Sequence, residues 1–401
     1  MITIIDSAAC CGCTACVNIC PVQCVVMRRD REGFDYPLAN PDRCIGCGKC
    51  ESVCPVLEPL ESRSPLAVMG GRSDEFVEES ASGGVFPHVA RRVIGNGGVV
   101  FGAAVEEDMT VAHCEAGSMD EVNRFRGPKY VQSELYAAFE DVHDRLCEGM
   151  EVLFSGIPCQ VAGLRKYLDK KAHGLDLSAL VTVDFACHGV PGPGLWEKYA
   201  GSMERAHGSG MTGIRFRDKK RSWFHYDVVY EFAGSADGSS GGRDDGACGL
   251  SVRRKYVEDP YMALFVQDMT LRPSCYKCPV RSGRSGSDLT LADLWSVRES
   301  MPRLDDDRGA SLVLVNTEKG RRMLEGLVLE ELVPELAMGN NGGFAESVPV
   351  PERRKEFFDS LDSAGDLQAY MSGFVRRVPL PKRIVRAVRA ALVGLKRRIM
   401  R

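Results

Sequence analysis

The 401-residue chain predicts a small α+β module at its start, an α/β domain with a mixed sheet behind it, and a basic amphipathic helix at its end. Three observations carry this reading. A cysteine run repeats itself within residues 10–55. From about residue 66, short β-rich runs alternate with helical patterns, as in layered α/β domains. Residues 380–401 place aliphatic side chains at helical spacing between Arg and Lys.

The cysteine run reads Cys10-x2-Cys13-x2-Cys16-x3-Cys20-Pro21, then Cys44-x2-Cys47-x2-Cys50-x3-Cys54-Pro55. The spacings and the closing proline are the same both times. This is the ferredoxin arrangement for two 4Fe–4S clusters, in which the fourth cysteine of each run ligates the other cluster. One cluster then takes Cys10, Cys13, Cys16 and Cys54, and the other Cys44, Cys47, Cys50 and Cys20. Paired C-x2-C spacings also serve zinc, but a doubled run closed by proline is a far better match to iron–sulfur. Cys11 and Cys24 fall outside the pattern and read as packing or free thiols.

The chain is long enough for two or three domains. Hydrophobic residues make up 44% and charged residues 26%, a globular composition. Of 17 cysteines, eight sit in the repeated run. Thiolate ligands need a reducing compartment, so a cytoplasmic location is expected. No secretory signal is read at the start, where Met1-Ile-Thr-Ile-Ile-Asp6 reads as a short strand. No run of 18 apolar residues is present, so nothing is expected to span a membrane. The net charge of −4 conceals ten Lys/Arg and no Asp/Glu from Leu367 to Arg401. The remaining body is acidic, which argues against nucleic-acid binding.

Residues 1–60 form the cluster module, ending in the linker Val56–Pro65, with prolines and alternating charge. The larger domain is assigned to 61–360. Its expected strands are Gly98–Val105, Glu151–Ser155, Leu180–Phe185, Gly213–Arg217, Tyr226–Phe232, Leu289–Trp295 and Ser311–Asn316. Its expected helices are about Gly84–Asn96, Glu134–Cys147, Gln160–Leu168 and Asp259–Met269. Gly234–Gly249 is rich in Gly, Ser and Asp and reads as an exposed loop. The tail 361–401 carries the basic helix. Its apolar face (Ile384, Val388, Leu392, Leu395, Ile399) and cationic flanks suit the surface of an anionic membrane, or docking on the acidic body or a partner.

Further motifs sit at element boundaries. Ser80-Ala-Ser-Gly-Gly-Val-Phe86 precedes a helix, where small residues and the helix dipole favour a phosphate, although an ordinary Ser cap would look the same. Cys159 falls in the first turn of a helix after an apolar strand. Cys187 and His188 fall at a strand end, and Cys275 and Cys278 form a C-x2-C before proline. Taken singly, Cys159 or Cys187 fits a buried structural thiol better than a ligand, and a lone C-x2-C is weak evidence of a site.

Several stretches occur together and in order: Ser155-Gly-Ile-Pro-Cys-Gln-Val-Ala-Gly-Leu164, Cys187-His-Gly-Val-Pro191, Phe216-Arg-Asp-Lys219, Leu271-Arg-Pro-Ser-Cys-Tyr-Lys-Cys278 and Ser287-Asp-Leu-Thr-Leu-Ala-Asp-Leu-Trp295. With Ser82-Gly-Gly-Val-Phe86, Arg126-Gly-Pro-Lys-Tyr-Val-Gln-Ser133 and Arg353-x-x-x-Phe357, they resemble the coenzyme F420 hydrogenase/dehydrogenase beta-subunit family. The likeness is to the bacterial form with an N-terminal two-cluster ferredoxin, and it covers about residues 1–360.

The resemblance implies an FAD enzyme that passes electrons between iron–sulfur clusters and a two-electron substrate, coenzyme F420 or a small organic molecule. It implies flavin contacts at Ser82, Gly83, Gly84, Lys129 and Tyr130. A redox partner protein or a small electron carrier would supply or take up the electrons. No catalytic acid is identified, and His188 is a candidate only. Cys159, Cys187, Cys275 and Cys278 all lie inside the signature motifs, and four is the number a third 4Fe–4S cluster needs. Zinc on the same thiols, or plain packing, are the alternatives. The other reading of the whole chain is a non-catalytic electron-transfer subunit serving a partner enzyme.

Overall fold

The computed structural model describes residues 1–171, 174–234, 249–339 and 341–376. The basic helix expected at 380–401, and nearly all of the glycine-rich loop at 234–249, lie outside them.

The N-terminal module holds one antiparallel pair, β1 (Val25–Arg29) and β2 (Asp35–Ala39). Two four-residue helical turns, Ala15–Asn18 and Lys49–Ser52, follow the C-x2-C loops. The strand expected at Met1–Asp6 does not form. Ile2 is instead buried over the second cysteine loop, and its N–H donates to Cys50 Sγ at 3.3 Å. The segment is spent on covering thiols, which a strand ladder would not do.

The larger domain is built on an eight-stranded sheet. Its members are β3 (Ala67–Gly71), β4 (Val99–Val105), β5 (Val111–Ala116), β6 (Val152–Ser155), β7 (Leu180–Phe185), β11 (Leu289–Asp293), β12 (Ser311–Val315) and β13 (Leu329–Glu331). The spatial order is β13-β3-β12-β11-β7-β6-β4-β5. The central strands β4, β6, β7 and β11 are mutually parallel. Antiparallel strands flank them on both sides. The mixed sheet expected from sequence is therefore present. Strands β8 (Met211–Asp218), β9 (Asp227–Ala233) and β10 (Gly249–Lys255) form a separate antiparallel sheet.

Side-chain alternation explains how both faces of the large sheet are covered. Val100, Leu153 and Val181 face the helix Val85–Gly95. Their neighbours Val99, Phe101, Val152, Phe154 and Leu180 face the helices Ala138–Cys147 and Pro158–Lys171. The first of these two starts later than the expected Glu134. The Glu134 N–H is already committed to Val111 O, at 2.8 Å. The second starts earlier than expected, at Pro158, a residue suited to an opening turn.

The module does not hang from a free linker. Cys11, Cys13, Ala15, Ile19 and Val53 belong to the same apolar layer as the helix Pro158–Lys171. Gly163 on that helix permits the approach, since a Cβ there would lie 3.0 Å from Cys13 Sγ. Among the described residues, no helix is long and apolar enough to cross a membrane.

Candidate functional site

Two cysteine-lined cavities occupy the N-terminal module. One, about 330 Å³ including its open mouth, is lined by Cys10, Cys13, Cys16 and Cys54, with Cys11 beside them. The other, about 340 Å³, is lined by Cys20, Cys44, Cys47 and Cys50, with Cys24 beside them. This is the grouping that interleaved ligation requires. The loops curl tightly enough because Gly12, Thr14, Gly46 and Gly48 all adopt positive φ. Backbone N–H groups already point at sulfur, from Gly12 to Cys10 Sγ at 3.4 Å and from Cys24 to Cys20 Sγ at 3.3 Å. Four thiols around each cavity are a donor set that fits a 4Fe–4S cluster.

The two cavities differ in exposure. Cys47 is exposed, whereas Cys13, Cys16 and Cys54 are buried against the rest of the chain. Burial pushes the Cys10 thiol up to about 11 and raises Cys16 further. Ionising these thiols therefore needs a cation, and metal loading must release protons.

A second group of cysteines lies where the parallel strands end. Cys159 is in the first turn after β6, and Cys187 follows β7. Cys275 sits in the short turn Pro273–Lys277, and Cys278 closes it. Cys187 lies within electrostatic reach of Cys275 and Cys278, and Cys159 within reach of Cys278 and Cys187. Burial pushes Cys187 up to about 12 and Cys275 up to about 11. Arg281 places a positive charge close to Cys187, Cys275 and Cys278. Among the described residues, no three His, Cys, Asp or Glu converge tightly enough to hold a single metal ion.

Cys11, read from sequence as a spare thiol, connects the two groups. It is buried, and its thiol lies beside those of Cys13 and Cys159. These contacts favour its thiolate and pull it well below the usual thiol range. No local pattern could have revealed this, because Cys159 is remote in sequence.

The residues implied for flavin take two positions. Ser82 Oγ donates to Ala310 O at 3.0 Å, and the Gly83 N–H donates to Ser311 Oγ at 3.1 Å. Gly84, at φ +78°, opens the helix Val85–Gly95. This loop follows β3 and meets the start of β12, at the edge where the parallel strands end. Lys129 donates to Arg124 O at 2.7 Å and Arg126 O at 3.2 Å, and burial pushes it down to about 7. Tyr130 packs edge-on to Phe216 and is tilted on Phe265. Arg126 joins the two positions by donating to Phe76 O and Ser80 Oγ.

Next to Tyr130 lies a polar cage that sequence reasoning quoted as motif but did not assign. Arg217 donates to Asp293 Oδ2 at 2.5 Å and lies 5.0 Å over each of the Tyr226 and Trp295 rings. Trp223 stacks on Trp295 at 5.2 Å. Arg217 Nε, Asp293 Oδ1 and Trp223 Nε1 are buried without a hydrogen-bond partner. Such atoms cost about 1–3 kcal/mol each when unsatisfied. Donors and an acceptor left open beside aromatic faces fit the polar edge of a flavin ring. His188 faces Asp268, with Nε2 2.6 Å from Oδ1, and its ring meets Phe265 edge-on.

The family model for the C terminus of the coenzyme F420 hydrogenase/dehydrogenase beta subunit matches residues 149–335. The model for the 4Fe-4S dicluster domain matches residues 9–57. Residues 149–335 thus carry the C-terminal domain of the coenzyme F420 hydrogenase/dehydrogenase beta-subunit family. No curated protein matches the chain. Among solved structures it is similar to a chain of the F420-reducing NiFe hydrogenase complex from Methanosarcina barkeri, in a xenon-derivatised form. The identity is 15% and the TM-score 0.42, over 68% of this chain and 82% of that one. With a dicluster domain joined to that C-terminal domain, the chain is an iron–sulfur electron-transfer protein of the oxidoreductase class.

Proposed function

We propose that the chain is an iron–sulfur flavoprotein oxidoreductase that moves electrons between its N-terminal clusters and a two-electron substrate, coenzyme F420 or a small organic molecule. The observation that carries this reading is the run of neighbouring buried thiols Cys13, Cys11 and Cys159, with Cys11 also lining the first cavity. It leads from the first cavity to the cysteines at the strand ends, beside the edge where Ser82–Gly84 lies.

In this reading Cys10, Cys13, Cys16 and Cys54 hold one 4Fe–4S cluster, and Cys20, Cys44, Cys47 and Cys50 hold the other. Cys159, Cys187, Cys275 and Cys278 hold a third. Ser82, Gly83, Gly84, Lys129 and Tyr130 border FAD, with Arg217, Asp293 and Trp223 at its polar edge. When bound, clusters carry single electrons, and a flavin exchanges between one- and two-electron chemistry. The chain's own part is spatial and electrostatic. Exposed Cys47 brings the second cavity to the surface, where a redox partner protein or a small carrier can reach it. Buried Cys13, Cys16 and Cys54 keep the first cavity from water. Arg281 supplies positive charge to the strand-end thiols. Residues 380–401 add a peripheral contact with anionic membrane.

The test is cofactor analysis of the full chain purified without oxygen. About twelve iron atoms, matching sulfide and a flavin per chain are expected, with about four irons lost in Cys275→Ser. About eight irons, no flavin and a copurifying catalytic partner would instead support an electron-transfer subunit. Absence of iron would overturn both.

A further inference from the structure

We propose that Arg272 is a built-in counter-charge for the cluster of the first cavity, raising that cluster's reduction potential to offset its burial. The inference rests on the cluster assignment proposed above.

Arg272 comes from the α/β domain, at the entrance to the turn that carries Cys275 and Cys278, yet its side chain ends inside the N-terminal module. It is 1% exposed. Nε–H donates to Cys10 O at 2.7 Å, and Nη1 donates to Gln132 Oε1 at 2.9 Å. Nη2 donates to Asp35 O at 2.9 Å and faces Cys10 Sγ at 3.7 Å. The guanidinium lies 4.3 Å over the Tyr36 ring and 5.5 Å over Phe34. Gly12 is needed for this fit. It has φ +71°, and a Cβ there would lie 2.7 Å from Arg272 Nη1.

Apart from the Cys10 thiol, the acceptors are neutral carbonyl and amide oxygens. Among the described residues, no carboxylate forms an ion pair with this guanidinium; Asp30 lies within its electrostatic reach but accepts hydrogen bonds from the N–H groups of its own turn instead. A buried charge without a counter-ion is strongly unfavourable, and an arginine does not shed its proton. A cluster held by four thiolates is anionic, and hydrogen bonds and charges near its sulfurs set its potential. Arg272 meets both conditions at the ligand Cys10. Reduction adds one electron to the cluster, with no bond made or broken and no proton moved. The added negative charge is what a fixed cation favours.

Among the described residues the second cavity has no such buried group. Lys49 in its lining is exposed, as is Arg43, which donates to Val22 O beside it, and the N-terminal ammonium of Met1 at its rim is paired with Glu51. Exposed charges are screened by salt, and buried ones far less. The two clusters should therefore respond differently to the same perturbations.

The experiment is a redox titration of the full chain followed by electron paramagnetic resonance, with signals assigned through Cys16→Ser, Cys50→Ser and, for the cluster at the strand ends, Cys278→Ser. In Arg272→Gln, the first-cavity cluster should lose at least tenfold in electron affinity, about 59 mV for a one-electron couple, while the second-cavity cluster stays put. Arg272→Lys, which keeps the charge, should recover most of the loss. An unchanged first-cavity potential in Arg272→Gln with full iron content overturns the proposal, as does an equal shift of both clusters. Should Arg272→Gln fail to fold, the wild type still decides. Raising salt from low to molar should move the second-cavity potential and leave the first in place, and equal movement of both overturns the proposal. Wild-type protein without iron would instead sink the cluster assignment.

Discussion

The interface between the module and the larger domain has one ion pair whose removal can be worked through in advance. Glu32, in the turn between β1 and β2, accepts two hydrogen bonds from Arg354, to Oε1 at 3.1 Å and Oε2 at 2.6 Å. The side chains are only 9% and 15% exposed, Arg and Glu respectively. Burial disfavours the Arg354 charge, and the Glu32 carboxylate restores it, for a net upward shift. Removing one partner of a buried pair typically costs 3–5 kcal/mol. Here Arg354 keeps Leu271 O at 2.9 Å, Tyr276 Oη at 3.2 Å and the Phe358 ring at 4.6 Å. Glu32→Gln should therefore cost less, about 2–3 kcal/mol. The assay is a double-mutant cycle with Arg354→Met, read by urea unfolding and by proteolysis within Val56–Pro65. The double variant should be less damaged than the sum of the singles by at least about 1 kcal/mol. Costs that add within about 0.5 kcal/mol would refute the claim that this pair docks the module.

Three further outcomes are expected. Cys54→Ser should perturb the first-run cluster and Cys20→Ser the second, seen by electron paramagnetic resonance; the reverse pattern would rule out interleaved ligation. His113 is buried between Ser155 O at 2.9 Å and Ser133 Oγ at 3.0 Å, and burial pushes it down to about 4. The unfolded chain therefore binds more protons between about pH 4 and 6.5, so stability falls as pH drops through that window, and His113→Gln should flatten the slope in urea titrations run across it. Anionic vesicles should bind the full chain in flotation, more weakly at high salt, and not after deletion of 380–401; binding that survives the deletion places the contact elsewhere.

Much of this protein is local and could be read from sequence. A cubane-binding loop depends on x2 and x3 spacings and on residues that accept positive φ, all within a few positions of one another. Strands β4, β6 and β7 announce themselves as short apolar runs because both of their faces are buried. The strands β5 and β10 escape because their polar residues break the pattern, β3 because it closes on two glycines and β13 because it is three residues long, and so does the helix Pro193–His207. Met1–Asp6 has the pattern of a strand, but Ile2 covers the one thiol, Cys50, that Lys49–Ser52 contributes.

What only tertiary structure decided are contacts between groups distant along the chain. Cys11 reaches Cys159, Arg272 reaches Cys10, and Arg217 meets Asp293 beside Trp223 and Trp295. Each residue type is ordinary where it stands in sequence. Its chemistry comes from burial and from its partner, and both are set when the module packs on the helix Pro158–Lys171 and when strand ends meet at one edge of the sheet. Spacing constrains neighbours a few residues apart. The electrostatics of a buried site sum over its surroundings, whatever their place in the chain, because buried charges are screened far less than exposed ones.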